Sequence, residues 1–119
     1  MTKKSDMIYV EHILDSIEAI EDFSKNITKE ILSTDRLKKS AIVRELEIIG
    51  EAVKNISDGK KKEYSSIPWK EIAGTRDKII HHYFGIDLNI IWNIIKNELP
   101  KLRKDIMKIK NDLLDKNGI

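Results

Sequence analysis

Apolar side chains recur three and four residues apart along almost the whole of this 119-residue chain, and only five glycines and two prolines interrupt them. That spacing lays apolar groups along one stripe of an α-helix, whereas a half-buried strand would alternate at every second residue. An all-α chain of roughly four to five helices is therefore expected. The first runs from about Ser5 to Phe23, with Val10, Ile13, Leu14, Ile17 and Ile20 as its buried stripe. Thr34 or Asp35 can cap the second, whose stripe is Leu37, Ala41, Ile42, Leu46, Ile49, Val53 and Ile56. It should stop near Ser57, Asp58 and Gly59, before a lysine-rich loop.

Pro68 suits a first helical turn, where a missing amide costs nothing, so a third helix is expected from there, carrying Trp69, Ile72, Arg76 and Tyr83 towards a stop at Gly85. Asp87 can cap a fourth bearing Leu88, Ile91, Trp92 and Ile95, and Pro100 either kinks that helix or opens a fifth with Leu102, Ile106, Ile109 and Leu113. Such short connections favour antiparallel neighbours, hence an up-down four- to five-helix bundle. Gly50 and Gly74 fall inside these helices, where glycine costs about 1 kcal/mol relative to alanine, and close approach of another helix is the ordinary compensation. Trp69 and Trp92 keep the spacing of their stripes and read as core or interface residues.

A chain of this length can bury roughly two-thirds of its unfolded surface, so residues 1–119 are expected to form a single helical domain. Absence of cysteine excludes disulfides and thiolate metal sites and suits the cytoplasm. Runs such as IIWNII fall well short of the roughly twenty apolar residues that span a bilayer, and the amino terminus is polar, so no membrane partner is expected. The 22 basic and 20 acidic residues nearly cancel to a formal +2, which excludes a polybasic nucleic-acid binder. Local basic spots at Lys54 with Lys60, Lys61 and Lys62, and at Lys101, Arg103, Lys104, Lys108 and Lys110, read first as solvated surface and second as weak RNA contacts.

The chemistry concentrates in RDKIIHHY, from Arg76 to Tyr83. On one ideal helix Trp69, Arg76 and Tyr83 are seven residues apart and project within about 20° per step, which would set an arginine along a largely apolar face. The bland reading is an ion pair with Glu45, Glu47 or Glu51 of the second helix. His81 adds a proton acceptor that titrates near neutrality, and an arginine can stabilise charge developing on a phosphate. RNA carries its own nucleophile in the 2′-hydroxyl, so these two groups with in-line positioning suffice for cleavage without a metal. Asp77, four residues before His81, could orient the imidazole. Arg76 and His81 are about 140° apart around an ideal helix, so a two-fold dimer that lines one cleft with both residues from both chains is the favoured solution.

The pattern Arg76-x-x-x-x-His81-x-Tyr83 resembles the signature of the HepT-like toxins of the HEPN superfamily. The resemblance extends through IVRELEIIGEAVKNIS, IPWKEIAGTRDKIIHHYFGID and IWNIIKNELPKL, covering most of the chain after about residue 35. It implies a HEPN-like fold and a homodimeric, metal-independent endoribonuclease acting as the toxin of a type II pair, with a small MNT-type nucleotidyltransferase as antitoxin. Arg76 and His81 would be catalytic, and Tyr83 would help position substrate and receive AMP from ATP used by the partner; the protein itself would need no cofactor. Asp77 departs from the asparagine often found after the motif arginine, which keeps an acceptor but adds negative charge. His82 also satisfies a looser spacing and is held as an auxiliary group. Asp77, His81 and His82 could offer metal ligands, but adjacent histidines point to different sides of a helix and no further ligand is evident. The alternative of another class is a non-catalytic helical dimer that binds a nucleotidyltransferase or nucleotide. A purely structural bundle would pair Arg76 with a carboxylate of its own subunit and leave no cleft at the motif.

Overall fold

Helix α1 (Lys3–Phe23) begins a computed structural model that describes residues 3–80 and 87–116. Val10, Ile13, Ile17 and Ile20 are fully or almost fully buried, as their spacing requires, with Leu14 half-buried beside them. Asn26 ends this segment in the left-handed region, at φ 59°, a conformation that asparagine tolerates better than most side chains. Thr28 then caps a short α2 (Lys29–Thr34) by accepting from the Ile31 amide at 3.1 Å. Asp35 caps α3 (Arg36–Asn55), accepting from the Lys38 amide at 2.9 Å. Of the two cap candidates it is the one used.

Helices α1 and α3 are antiparallel: Lys38, near the start of α3, donates to the Phe23 carbonyl at the end of α1 at 3.2 Å, and Asp6 at the start of α1 meets Ser57 beyond the end of α3. The last helical stretch comprises α7 (Leu88–Asn93), a π-helical turn over Ile94–Glu98 and α8 (Leu99–Lys116). Asp87 caps it as expected, through the amides of Asn89 and Ile90. Ion pairs between Arg103 and Glu21 and between Lys110 and Glu11 fix α8 antiparallel to α1. Leu102, Ile106, Ile109 and Leu113 of α8 complete the core. The architecture is all-α, and the described residues contain no strand.

Pro100 accounts for the π turn. Lacking an amide hydrogen, it cannot donate to the Lys96 carbonyl, and an unbroken α-helix would force its ring against that oxygen. The Leu99 amide instead reaches back five residues to the Ile94 carbonyl, which widens the turn and lets the helix continue. Neither of the two simple alternatives, kink or new helix, describes this as well as a local change of hydrogen-bond register.

Four expectations are corrected. Leu37 is 83% exposed, although the apolar period includes it. The lysine-rich stretch is a helix, α4 (Asp58–Glu63), capped by Ser57. Lys60 is therefore no solvated loop residue but is buried, with its ammonium 2.9 Å from both Glu63 and Asp112 and 5.7 Å from the Tyr64 ring. The third helix is split into α5 (Trp69–Ala73) and α6 (Thr75–Ile80), with Pro68 at its cap. Counting α2 and α4, there are more helices than the four or five expected, since one-turn helices leave little periodicity to read.

Two buried polar contacts tie the ends of the long helices together. Asp6 accepts from the Ser57 amide at 2.8 Å and from its hydroxyl at 2.7 Å, joining the start of α1 to the cap of α4. Burial alone would lower the Lys60 pKa, but the hydrogen bonds and charges of Asp112 and Glu63 outweigh it and raise the value above the usual lysine range. The stability linked to that rise is present below the ordinary lysine pKa and is lost only as pH climbs through the raised one, so Lys60 stays charged at all moderate pH. The same carboxylates, with burial as the leading cause, raise the Tyr64 pKa. Lys60→Met should lower unfolding free energy by about 2 kcal/mol, the low side for a buried pair because both carboxylates keep access to water. Urea denaturation checks this, and an unchanged midpoint would remove the salt-bridge network from the account of stability.

Candidate active site

Arg76 is positioned by a close approach between two helices. A Cβ built on Gly50 of α3 would lie 3.3 Å from the Ala73 carbonyl oxygen and 3.5 Å from that of Ile72, so the end of α5 rests directly on the α3 backbone. Gly50 thus meets its expected compensation. Gly74 does not: its neighbours are the carbonyls of its own turn, Lys70 and Glu71, and it forms the joint between α5 and α6 at φ −89°, ψ 5°. The Lys78 amide donates to the Gly74 carbonyl at 3.1 Å, which restarts the helical hydrogen bonding in α6.

That joint overturns the assumption of one straight helix through Trp69 and Arg76. Trp69 lies on α5, half-buried against the core, with its indole nitrogen donating to the Tyr64 carbonyl at 3.1 Å, in keeping with the core reading. Arg76 lies on α6, its side chain 56% exposed, and not along a buried apolar face. Its Nε donates to Oε2 of Glu47 at 2.8 Å. Glu47 stands one helical turn before Gly50 on α3, so the residue that receives α5 and the residue that holds Arg76 share a face. Asp77 is exposed in the first turn of α6. His81, His82 and Tyr83, and with them the expected stop at Gly85, lie outside the described residues.

A cleft of about 190 Å³ lies between α3, α5, the π turn and α8 and reaches Thr75, the residue before Arg76, although Arg76 is not among its lining residues. Leu46, Ile49, Ile72, Ile94, Leu99 and Leu102 supply its apolar lining, and Thr75, Asn97, Glu98, Lys101 and Asp105 its polar groups. A purely structural bundle predicted the intrasubunit carboxylate partner that Arg76 has, but not a cleft reaching Thr75, the residue beside it. An exposed pair such as Arg76–Glu47 contributes at most about 1 kcal/mol, so stability is a weak reason for it. Of the carboxy-terminal basic set, Arg103 and Lys110 are engaged by Glu21 and Glu11, which favours the solvated-surface reading of that patch. Among the described residues, no group of three or more histidine or acidic side chains is placed to hold a metal ion. No described helix is long and apolar enough to cross a membrane.

Long antiparallel helices and a broken third helical segment define the class as all-α. Residues 13–109 match the family described as Ribonuclease HepT-like, and the chain belongs to that family. Among curated relatives, the "Probable ribonuclease HepT" of Thermococcus cleftensis is 42% identical over 91% of this chain and 98% of its own length. The "Putative RNase TTE0752" of Caldanaerobacter subterraneus subsp. tengcongensis is 48% identical over 85% of this chain and 90% of its own. The "Gamma-glutamylcyclotransferase and putative RNase MJ0434" of Methanocaldococcus jannaschii is 44% identical over 97% of this chain, which spans only 51% of that longer protein. No solved structure matches significantly.

The Gly50 contact generates a prediction. Gly50→Val adds branched carbon against two backbone carbonyls that cannot rotate away, so it should destabilise by roughly 1–3 kcal/mol and displace the α5–α6 joint. Gly50→Ala should be nearly neutral, because a gain of about 1 kcal/mol in helix propensity offsets a few tenths of an ångström of adjustment. Thermal unfolding of the two variants checks this ordering, and equal stability would mean that the helices are not packed this tightly.

Proposed function

We propose that this chain is a metal-independent endoribonuclease, the toxin of a type II HEPN/MNT pair, and that Arg76 and His81 carry out the cleavage. The observation that supports it most directly is the exposed side chain of Arg76, next in sequence to the cleft-lining Thr75, in a chain of the HepT-like ribonuclease family. His81 takes the proton of the 2′-hydroxyl, which attacks the adjacent phosphorus while Arg76 stabilises the added negative charge of the phosphorane-like transition state. The bond from phosphorus to the 5′-oxygen breaks, leaving a 2′,3′-cyclic phosphate and a 5′-oxygen that takes up a proton from the imidazolium or water. Asp77 orients the imidazole, His82 is auxiliary, and Tyr83 positions substrate. Two copies assemble so that both chains contribute to one cleft, because five residues separate Arg76 from His81 and an ideal helix would turn them about 140° apart.

Silencing follows from the same chemistry. An MNT-type nucleotidyltransferase uses ATP to attach AMP to Tyr83, which places bulk and a negative phosphate at the mouth of a site that receives the phosphate of RNA. The formal charge of only +2 and the engagement of Arg76 by Glu47 favour a second reading, a non-catalytic dimer that docks the nucleotidyltransferase or nucleotide.

Purified protein should cleave RNA in EDTA, and His81→Ala should reduce the rate at least a hundredfold, roughly the contribution of one general base, with unchanged circular dichroism. Equal cleavage by this variant would sink the assignment. Incubation with the nucleotidyltransferase and labelled ATP should mark the wild type and leave Tyr83→Phe unlabelled. Labelling of a wild type that never cuts RNA would select the docking module instead.

A further inference from the structure

We infer that Glu47 is a positioning residue that aims Arg76, gripping the inner nitrogen of its guanidinium and leaving the outer two for a phosphate. This rests on the ribonuclease reading above. The geometry is selective: Nε donates to Glu47 Oε2 at 2.8 Å, and among the described residues no second acceptor meets the group. Arg103 provides an internal contrast at nearly the same exposure. Its outer Nη1 donates to both oxygens of Glu21, at 2.8 and 3.1 Å, so the end of that side chain is already engaged. Arg76 is held at its neck instead, with no acceptor among the described residues at its outer nitrogens.

Arginine recognises phosphate through parallel N–H donors in a rigid fork, and the value of such a donor depends on its being oriented before charge develops. A free arginine on a surface helix samples many rotamers, and one charge-assisted bond at Nε removes most of that freedom while leaving donors free. The anchor is itself well placed. Glu47 is 35% exposed on α3, one turn from Gly50, where α3 supports the α5–α6 joint. Both ends of the bond are therefore referred to one rigid helix. A carboxylate near the phosphate also opposes RNA binding in the ground state, so its benefit should appear in turnover and not in affinity.

The experiment is steady-state cleavage of a fluorescent RNA by the full chain and its Glu47 variants. Glu47→Ala should lower kcat by roughly tenfold to a hundredfold, the scale set by misplacing a reacting group by about an ångström. Its KM should stay level or fall as the repulsive charge is lost. Glu47→Gln keeps an oxygen acceptor for Nε and should recover most of the kcat, and both variants should melt within a few degrees of wild type. In an Arg76→Lys background, where no Nε exists, Glu47→Ala should add no further loss. Wild-type kcat in Glu47→Ala, or a loss in Glu47→Gln as deep as that in Glu47→Ala, overturns the inference while leaving the ribonuclease reading intact. A wild type that leaves RNA uncut instead sinks that reading, and this inference with it.

Discussion

Contact between the α3 backbone at Gly50 and the carbonyl end of α5 is the constraint on which the candidate site depends. A side chain at that position would hold α5 away from α3, and α6, which continues from α5 through Gly74, would move with it. The reach of Arg76 to Glu47 is a consequence of this approach, because both residues lie within about a turn of it. Helix α3 has two tasks at once. Ile42, Leu46, Ile49 and Val53 bury one stripe in the core, while Glu47 and Gly50 carry the short helices on an adjoining face. Glycine inside a helix costs about 1 kcal/mol, and the packing it permits against α5 offsets that loss.

Strong and weak polar interactions are separated in space. The end of the bundle formed by the start of α1, α4 and the carboxy-terminal half of α8 contains Asp6 with Ser57 and Lys60 with Glu63 and Asp112, contacts in which Asp6 and Lys60 are buried and would be left as desolvated charges without their partners. Arg76 is far more exposed than Lys60, and its pair with Glu47 adds little to stability. That difference suits the role proposed for Arg76. A scaffold contact should resist rearrangement, whereas a cation that is to receive a phosphate must admit a new partner without unfolding its surroundings.

Periodicity revealed the three long helices and most of the core, because a helix of eighteen residues or more repeats its stripe several times. Val10, Ile13, Ile17 and Ile20 are a direct example. It could not reveal α2 or α4, one-turn helices whose evidence is a cap, Thr28 or Ser57, and one buried side chain apiece, Leu32 and Lys60. Leu37 shows the converse failure, since spacing records that a residue could face the core and not whether another helix extends far enough to cover it. Within the site, Arg76 and its set of three candidate carboxylates were legible, but the choice of Glu47 depended on the break at Gly74, an interruption that no amphipathic pattern encodes.

The cleft has a related origin. On one side the third helical segment is interrupted at Gly74, and on the other the last helix widens into a π turn before Pro100. Residues from both irregular segments line the space: Ile72 and Thr75 flank the first, while Ile94, Asn97 and Glu98 belong to the second. The π turn also organises polar groups, since Asn97 donates to Asn93 at 2.6 Å and Asn93 donates to Glu98 at 3.0 Å. Straight helices pack by fitting ridges into grooves and leave few voids larger than a water molecule. Two interrupted helical segments facing one space defeat that fit locally, so the exposed position of Arg76 and the cleft that reaches its neighbour Thr75 both arise where regular packing is interrupted.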